Sequence, residues 1–349
     1  MNRSRVVFVI LALFTLLLVL HMNRAQQQSH DDNVNDRHAA PPAPGDDSDG
    51  DGDGEKFSVR FSRTSASDEA IQFACAVAEF PNATDFVDLV ALLPVVDAYV
   101  HHIDVFACDE TVASMAISSD CCSKACFFDL AQPCHSIVSV WDKGAEPFRL
   151  PSPYGVRVGR RTKTRSHVVV QVHSLNVPRH VPRALGVDFL VASSQLREEQ
   201  AHWFYFDDVT LALPPASSNA TAQTSLWDGD LCEQLTGADD TFLLAVHVHM
   251  HSRGRRVFLT RQTKSGVVEE LFADLAYAGY GKSQNVHWLA TPISLAHDDV
   301  ISLRCEYDTR GDRGPVTFGV SDADEMCAVA MLFNGPISDG STNFVRHTT

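Results

Sequence analysis

The segment Val246-His247-Val248-His249-Met250-His251 alternates apolar and imidazole side chains with a period of two. On a β-strand that period puts the three histidines on one face and Val246, Val248 and Met250 on the other. A polar exposed face would satisfy the same pattern, although Thr, Lys or Glu would serve it as well. His101 and His102 are adjacent, and neighbours on a regular strand point to opposite faces. Both can reach one ion only at a bulge or a strand end. Otherwise they are one core and one surface histidine. His173 follows Val172 in an apolar run, and Met326 lies in Asp324-Glu325-Met326-Cys327. Taken singly, each reads as a core residue. Taken together, the segments offer two sets of ligands: His101, His102 and His173, then His249, His251 and Met326. Imidazole suits copper, and a soft thioether sulfur favours Cu(I). The chemistry to expect is two copper ions cycling between oxidation states.

Strands must hold such ligands in place. Val168 to Val172, Phe242 to Val246 and Ala328 to Phe333 are short runs rich in branched or aromatic residues, the pattern of strands bounded by turn formers. Long amphipathic helical patterns are nearly absent, and Glu198 to Phe206 is too short and too aromatic to assign. Many short strands with Pro and Gly turns predict an all-β chain of two tandem antiparallel β-sandwich, jelly-roll-like domains. The expected organisation is a signal peptide or signal anchor over 1–25, an acidic, Pro-rich stalk over 26–55, β domains over 56–194 and 195–337, and a tail over 338–349.

Net charge is -16 over 349 residues, with no basic stripe. That excludes a nucleic-acid partner, which needs clustered Lys and Arg. Val6 to Leu20 carries no charge after a basic start. Its length suits a signal-peptide core better than a spanning helix of about 20 residues, but Asn23 makes a poor cleavage site before Ala25, so an uncleaved type II membrane anchor stays open. Either reading places the rest in the secretory lumen or outside the cell. Nine cysteines fit that oxidising compartment, as do the sequons at Asn82 and Asn219. The stalk is too polar to order itself. Its Asp49 to Gly54 stretch resembles the start of a calcium loop, but Arg60 occupies the position that needs a bidentate Glu. Arg310-Gly311-Asp312 is a possible adhesion tripeptide, and one this short arises readily by chance.

Read together, these segments resemble the copper type II, ascorbate-dependent monooxygenases over about Phe73 to Phe333. Val100-His101-His102-Ile103-Asp104-Val105-Phe106-Ala107-Cys108 looks like the family's paired-histidine segment. Trp141, Arg149-Leu150-Pro151 and Tyr154 to Gly159 fall where it has matching segments. Gln171-Val172-His173 matches its third histidine, and His249-Met250-His251-Ser252-Arg253-Gly254 its His-x-His strand. Asp324-Glu325-Met326-Cys327 matches its methionine ligand and adjoining cysteine.

The resemblance implies that His101, His102 and His173 hold an electron-transfer copper. His249, His251 and Met326 would hold the catalytic copper that uses O2, with ascorbate as reductant and a solvent-filled cleft between the two sets. It implies disulfides Cys305–Cys327, Cys75–Cys121 and Cys108–Cys126. Cys122, Cys134 and Cys232 have no place in that pattern, and Cys134 with Cys232 is one option. It puts His247 and Gln171 at the substrate. The family's peptide-processing members carry Arg where this chain has His247, and Asn and Tyr where it has Ala328 and Ala330. An imidazole binds a carboxylate only when protonated and lacks the fork of Arg. The expected activity is hydroxylation of a substrate C–H bond, most like peptidylglycine α-hydroxylation. The alternatives are a dopamine β-monooxygenase-like amine hydroxylase and a copper-binding protein without turnover.

Overall fold

The computed structural model describes residues 55–64, 70–80, 86–114, 134–159, 165–192, 196–226, 241–277, 284–296, 298–335 and 344–347. The signal or anchor segment and all of the stalk before Glu55 lie outside them, as do Asn82, Cys121, Cys122, Cys126 and Cys232. The first half holds β1 (Glu55–Thr64), β2 (Ile71–Glu79), β3 (Val87–Val95), β4 (Val100–Cys108), β5 (Cys134–Asp142), β6 (Phe148–Arg149), β7 (Tyr154–Val158), β8 (His167–Leu175) and β9 (Pro182–Val191). The second holds β10 (Glu199–Asp208), β11 (Ala212–Leu213), β12 (Ala220–Leu226), β13 (Phe242–His249), β14 (Gly254–Gln262), β15 (Val268–Asp274), β16 (His287–Ser294), β17 (Val300–Tyr307), β18 (Val316–Thr317), β19 (Ala328–Asn334) and β20 (Phe344–His347). The unassigned stretch at Glu198 to Phe206 is thus a strand, β10. Its aromatic residues alternate between two packed faces rather than following a helical stripe. Among the described residues the one helical segment is the short 3-10 turn Glu110–Ser114, and no helix is long and apolar enough to cross a membrane.

The strands form two tandem β-sandwiches. A four-stranded sheet, β2-β8-β4-β5, packs on the first part of a long sheet ordered β1-β9-β3-β7-β10-β19-β13-β16. A second four-stranded sheet, β12-β17-β14-β15, packs on the later part of that long sheet. The two halves of the long sheet join where β7 pairs in parallel with β10, Tyr154 with Glu199 and Gly155 with Gln200.

Side-chain alternation decides what β13 and β19 present to each half. Val246, Val248, Val329 and Met331 enter the second core, together with Leu259 and Leu303. Ala245, Ala330 and Leu332, on the opposite face, join the first core. His247 and His249 share that opposite face by the period of two, so the fold turns them toward the first half of the chain. Ala330 and Ala328 are their partners across β19.

Candidate metal centre

The first three histidines meet in the β2-β8-β4-β5 sheet. The β4–β8 register slips between Val100 and His102, which places His102 opposite His173. That irregularity is what lets adjacent histidines share a site. The Nδ1 atoms of His101 and His102 are 3.0 Å apart, and those of His173 and His102 are 3.4 Å apart. The other nitrogen of His102 lies 3.4 Å from the carboxylate of Asp104. The ring of Phe73 stacks on His173 at 4.5 Å.

The second group uses its ring nitrogens the other way round. His251 Nδ1 donates to the Asp324 carbonyl at 3.0 Å, and His249 Nδ1 lies 3.1 Å from Asp142 Oδ1. The Nε2 atoms of His249 and His251 are buried without a hydrogen-bond partner. His249 ends β13, and His251 follows just beyond it. Tyr277 holds that exit: its hydroxyl accepts the Met250 N–H at 3.0 Å and donates to the Met250 carbonyl at 2.7 Å. The buried Glu325 carboxylate accepts the N–H groups of His251, Arg253 and Met326. Met326 is itself buried, and its carbonyl accepts a hydrogen bond from Tyr307 at 2.8 Å. The Glu325 carboxylate therefore binds the backbones of His251 and Met326 to one point.

A solvent-filled cleft does not separate the two groups. The ring centre of His101 is 5.7 Å from that of His249 and 5.4 Å from that of His251. The ligand atoms of His101, His249 and His251 lie within 4.8 Å of one another, as do those of His101, His102 and His173. Five imidazoles thus share one pocket, with His101 in both groups. Imidazole nitrogens bound to one first-row metal ion at about 2.0 Å sit about 2.8–3.4 Å apart. The observed Nδ1 separations fall in that range.

Electrostatics keeps most of these rings neutral, the form that can donate a lone pair to a metal. Burial, then the neighbouring imidazoles, hold His101 and His173 far below the ordinary histidine range. Burial and His249 bring His251 down to about 3. Burial also presses on His249, but the Asp142 carboxylate beside it raises its affinity for a proton above the ordinary value. Asp142 is held well below the usual carboxylate range: its complete burial opposes this, and His249 and His247 outweigh it.

His247 is two residues from His249 on β13, and Gln171 is two residues from His173 on β8. His247 Nε2 is 2.5 Å from Asp142 Oδ2, and its Nδ1 is buried without a hydrogen-bond partner. Gln171, two residues before His173 on the same strand face, is fully buried with both amide atoms unpartnered. Asp142, Asp104 and Glu325 escaped the sequence reading as site residues. The spacing His102-Ile103-Asp104 was the available signal, since residues two apart share a strand face. Asp142 had none, because only the β4–β5 pairing brings it beside His102.

The disulfides correct one pairing. Cys108 is joined to Cys134, not Cys126. The two are cross-strand partners at the ends of β4 and β5, so the antiparallel register delivers them to each other. The same bond removes Cys134 as a partner for Cys232. Cys305 is joined to Cys327. Cys75 is disulfide-bonded, and the Cys121 proposed for it lies outside the described residues. The Arg310-Gly311-Asp312 charges are engaged within the chain, Asp312 by Arg253 and Arg310 by Asp308.

Comparison with known proteins agrees with the geometry. The N-terminal domain of the copper type II ascorbate-dependent monooxygenases matches residues 57–180, and the C-terminal domain matches 210–341. Dopamine beta-hydroxylase of Rattus norvegicus is 24% identical over 237 residues, covering 66% of this chain and 37% of that protein. Peptidyl-glycine alpha-amidating monooxygenase A of Xenopus laevis is 25% identical over 239 residues, covering 67% of this chain and 23% of that protein. The chain thus spans less than half the length of these relatives. A likeness to the major capsid protein P2 of bacteriophage PM2, with a TM-score of 0.36, 10% identity and coverage of 80% of this chain and 98% of that one, is too weak to bear on function. With both domain matches in chain order over the two histidine groups, the chain belongs to the copper type II ascorbate-dependent monooxygenase family.

Proposed function

We propose that the chain is a copper- and ascorbate-dependent monooxygenase that uses O2 to hydroxylate a substrate C–H bond. The observation that carries this reading is the convergence of five imidazoles, four of them buried, whose ring nitrogens fall into two groups each within 4.8 Å. His101, His102 and His173 would hold one copper through Nδ1. His249 and His251, through Nε2, and Met326 would hold the other. Bound copper would supply one-electron and O2 chemistry, with ascorbate as the source of electrons. The protein's part is to keep His101, His173 and His251 neutral, to exclude water by burial, and to place His102, His249 and His251 through their second nitrogens, which face Asp104, Asp142 and the Asp324 carbonyl. Gln171, whose amide is buried beside His173 and unpartnered, supports a place for substrate on that face. The N-terminal apolar segment, the bonded cysteines and the exposed Asn219 support a glycosylated protein of the secretory lumen or the cell exterior, secreted or held by residues 6–20.

Peptidylglycine-like hydroxylation is the leading substrate class by resemblance. Hydroxylation of an amine is the second, and one observation favours it. His247, at the position a carboxylate anchor would need, faces the negative charge of Asp142 through Nε2 and has no second charged donor to offer.

Metal analysis after copper loading and dialysis tests the two-site reading. About two equivalents are expected, and a reproducible value of one or zero overturns it. Because His101 adjoins both groups, His101→Ala should lose one equivalent and retain the other at His249 and His251. Incubating the loaded protein with ascorbate, O2 and, in turn, glycine-extended peptides, acylglycines and arylalkylamines should show a mass gain of one oxygen in one class. Met326→His keeps a copper ligand but exchanges the Cu(I)-favouring thioether for imidazole. Copper should still bind there while turnover falls by orders of magnitude. Near-normal turnover would make Met326 a core residue only.

A further inference from the structure

We infer that Asp142 is a positioning residue for the second metal group: it holds His249 by Nδ1, so that Nε2 turns into the imidazole pocket, and His247 clamps its other oxygen. This rests on the copper reading above and deepens it by assigning the role of one residue.

The geometry is specific. Asp142 ends β5, where its backbone partner across the sheet is His102. Its side chain leaves the first sandwich and meets two histidines of β13. Oδ1 lies 3.1 Å from His249 Nδ1, and Oδ2 lies 2.5 Å from His247 Nε2. Asp142 is 1% exposed, and His247 and His249 are 3% and 6% exposed. A lone carboxylate buried this deeply would be costly, so it needs both partners. An imidazole whose one nitrogen faces a carboxylate carries its proton there and presents a lone pair at the other. At His249 the 3.1 Å approach to Asp142 Oδ1 is an ion-pair contact, and the atom on the other side of the ring is Nε2, buried without a hydrogen bond. His251 has the same arrangement with a backbone carbonyl in place of the carboxylate. The two rings therefore offer the same atom to one ion.

The clamp also gives His247 a purpose. His247 and His249 are two residues apart on one strand face, and the carboxylate spans them. Oδ2 fixed by His247 leaves Oδ1 one direction in which to point, toward His249. His247 then serves as a support for Asp142 and not as an anchor for a substrate carboxylate.

The test uses the full chain, wild type, Asp142→Asn and Asp142→Ala, with folding checked by circular dichroism. The metal-free proteins carry 15N-labelled histidine, and long-range proton–nitrogen NMR reads the tautomer of each ring, with His249→Ala assigning the signal. Wild-type His249 should carry its proton on Nδ1. Asp142→Ala should lose that preference. Copper(I) affinity is then measured by chelator competition. It should fall 10–100-fold at one site in Asp142→Ala and by an intermediate factor in Asp142→Asn, while the other site keeps its affinity. Should Asp142→Ala fail to fold, the Asn variant decides both readouts. A His249 tautomer unchanged by substitution, or affinities within about twofold of wild type at both sites, overturns the inference. Failure of the wild-type protein to take up copper overturns the copper reading instead, and the NMR arm still decides the Asp142–His249 contact.

Discussion

Glu325 and His251, 74 residues apart, are joined by a 2.8 Å hydrogen bond from the backbone N–H of His251 to the buried carboxylate. The same oxygen accepts the Met326 N–H at 3.2 Å, and the other accepts the Arg253 N–H at 2.8 Å. Three donors converge on one carboxyl group, and they oppose the burial that raises its affinity for a proton. Glu325→Gln replaces one acceptor oxygen with an amide N–H2 and sets it against a backbone N–H. One buried donor is left unsatisfied, at a cost of about 1–3 kcal/mol. The expected outcome is a melting point lower by several degrees and weaker copper binding at the His249, His251 and Met326 group alone. Unchanged copper affinity there would mean that Glu325 holds the loop without placing the ligands.

The strand that carries His247 and His249 was legible because its alternation is local: three imidazoles interleaved with Val246, Val248 and Met250 can only sort onto two faces. The runs at Val168 to Val172 and Ala328 to Phe333 were legible for the same reason, and fall in β8 and β19. What could not be read is pairing between strands distant in sequence. The neighbourhood of His101 and His249 depends on the long sheet crossing from one sandwich to the other at Tyr154 and Glu199. Nothing local to either residue encodes that crossing. The partner of Cys108 was misplaced by the same ignorance of register, since Cys126 and Cys134 differ only in which one β5 carries.

Peptide mapping without reduction should recover Cys108 linked to Cys134 and Cys305 linked to Cys327. The first bond closes the end of the strand that carries His101 and His102. The second ties β17 to the residue after Met326. Removing a native disulfide from a secreted domain costs about 2–5 kcal/mol. Cys305→Ala with Cys327→Ala should therefore lower stability and loosen copper at the second group, and leave the His101, His102 and His173 group intact. Recovery of a Cys108–Cys126 peptide instead would displace the β4–β5 register.

Gly254 opens β14 directly after the His251 turn, and a Cβ there would lie 2.8 Å from the Cβ of Met250. That contact is with the stem of the side chain, which cannot swing aside. Gly254→Ala should therefore push Met250 out of the second core, at about 1–3 kcal/mol for overpacking. Met250 lies between His249 and His251, and Tyr277 holds both of its backbone groups. Displacing it should disturb copper at the second group more than at the first. Equal effects on both sites in a chelator competition would show a global loss of packing rather than a local shift.

Asp97 and Arg183 brace the entry to β4. Arg183 donates to both oxygens of Asp97, at 2.6 and 2.9 Å, and to Ser174 at 2.9 Å, while Asp97 accepts the N–H of Tyr99 at 2.9 Å. Burial alone would raise the Asp97 carboxyl, but the hydrogen bond and charge of Arg183 and the Tyr99 N–H hold it below its ordinary value. A carboxylate depressed in the folded state contributes stability above its unfolded value, about 3.9, and loses it as pH falls toward the folded value. Asp97→Asn leaves the Arg183 guanidinium buried and unpaired. With Asp97 30% exposed, the cost at pH 7 should be about 2–3 kcal/mol, below the range for fully buried pairs. Thermal melts of both proteins from pH 7 down to pH 3 should show that gap closing below about pH 4, because the wild type loses there what the variant never had. A gap that stays constant across this window would assign the cost to packing of the Asn side chain and remove the ion pair from the account.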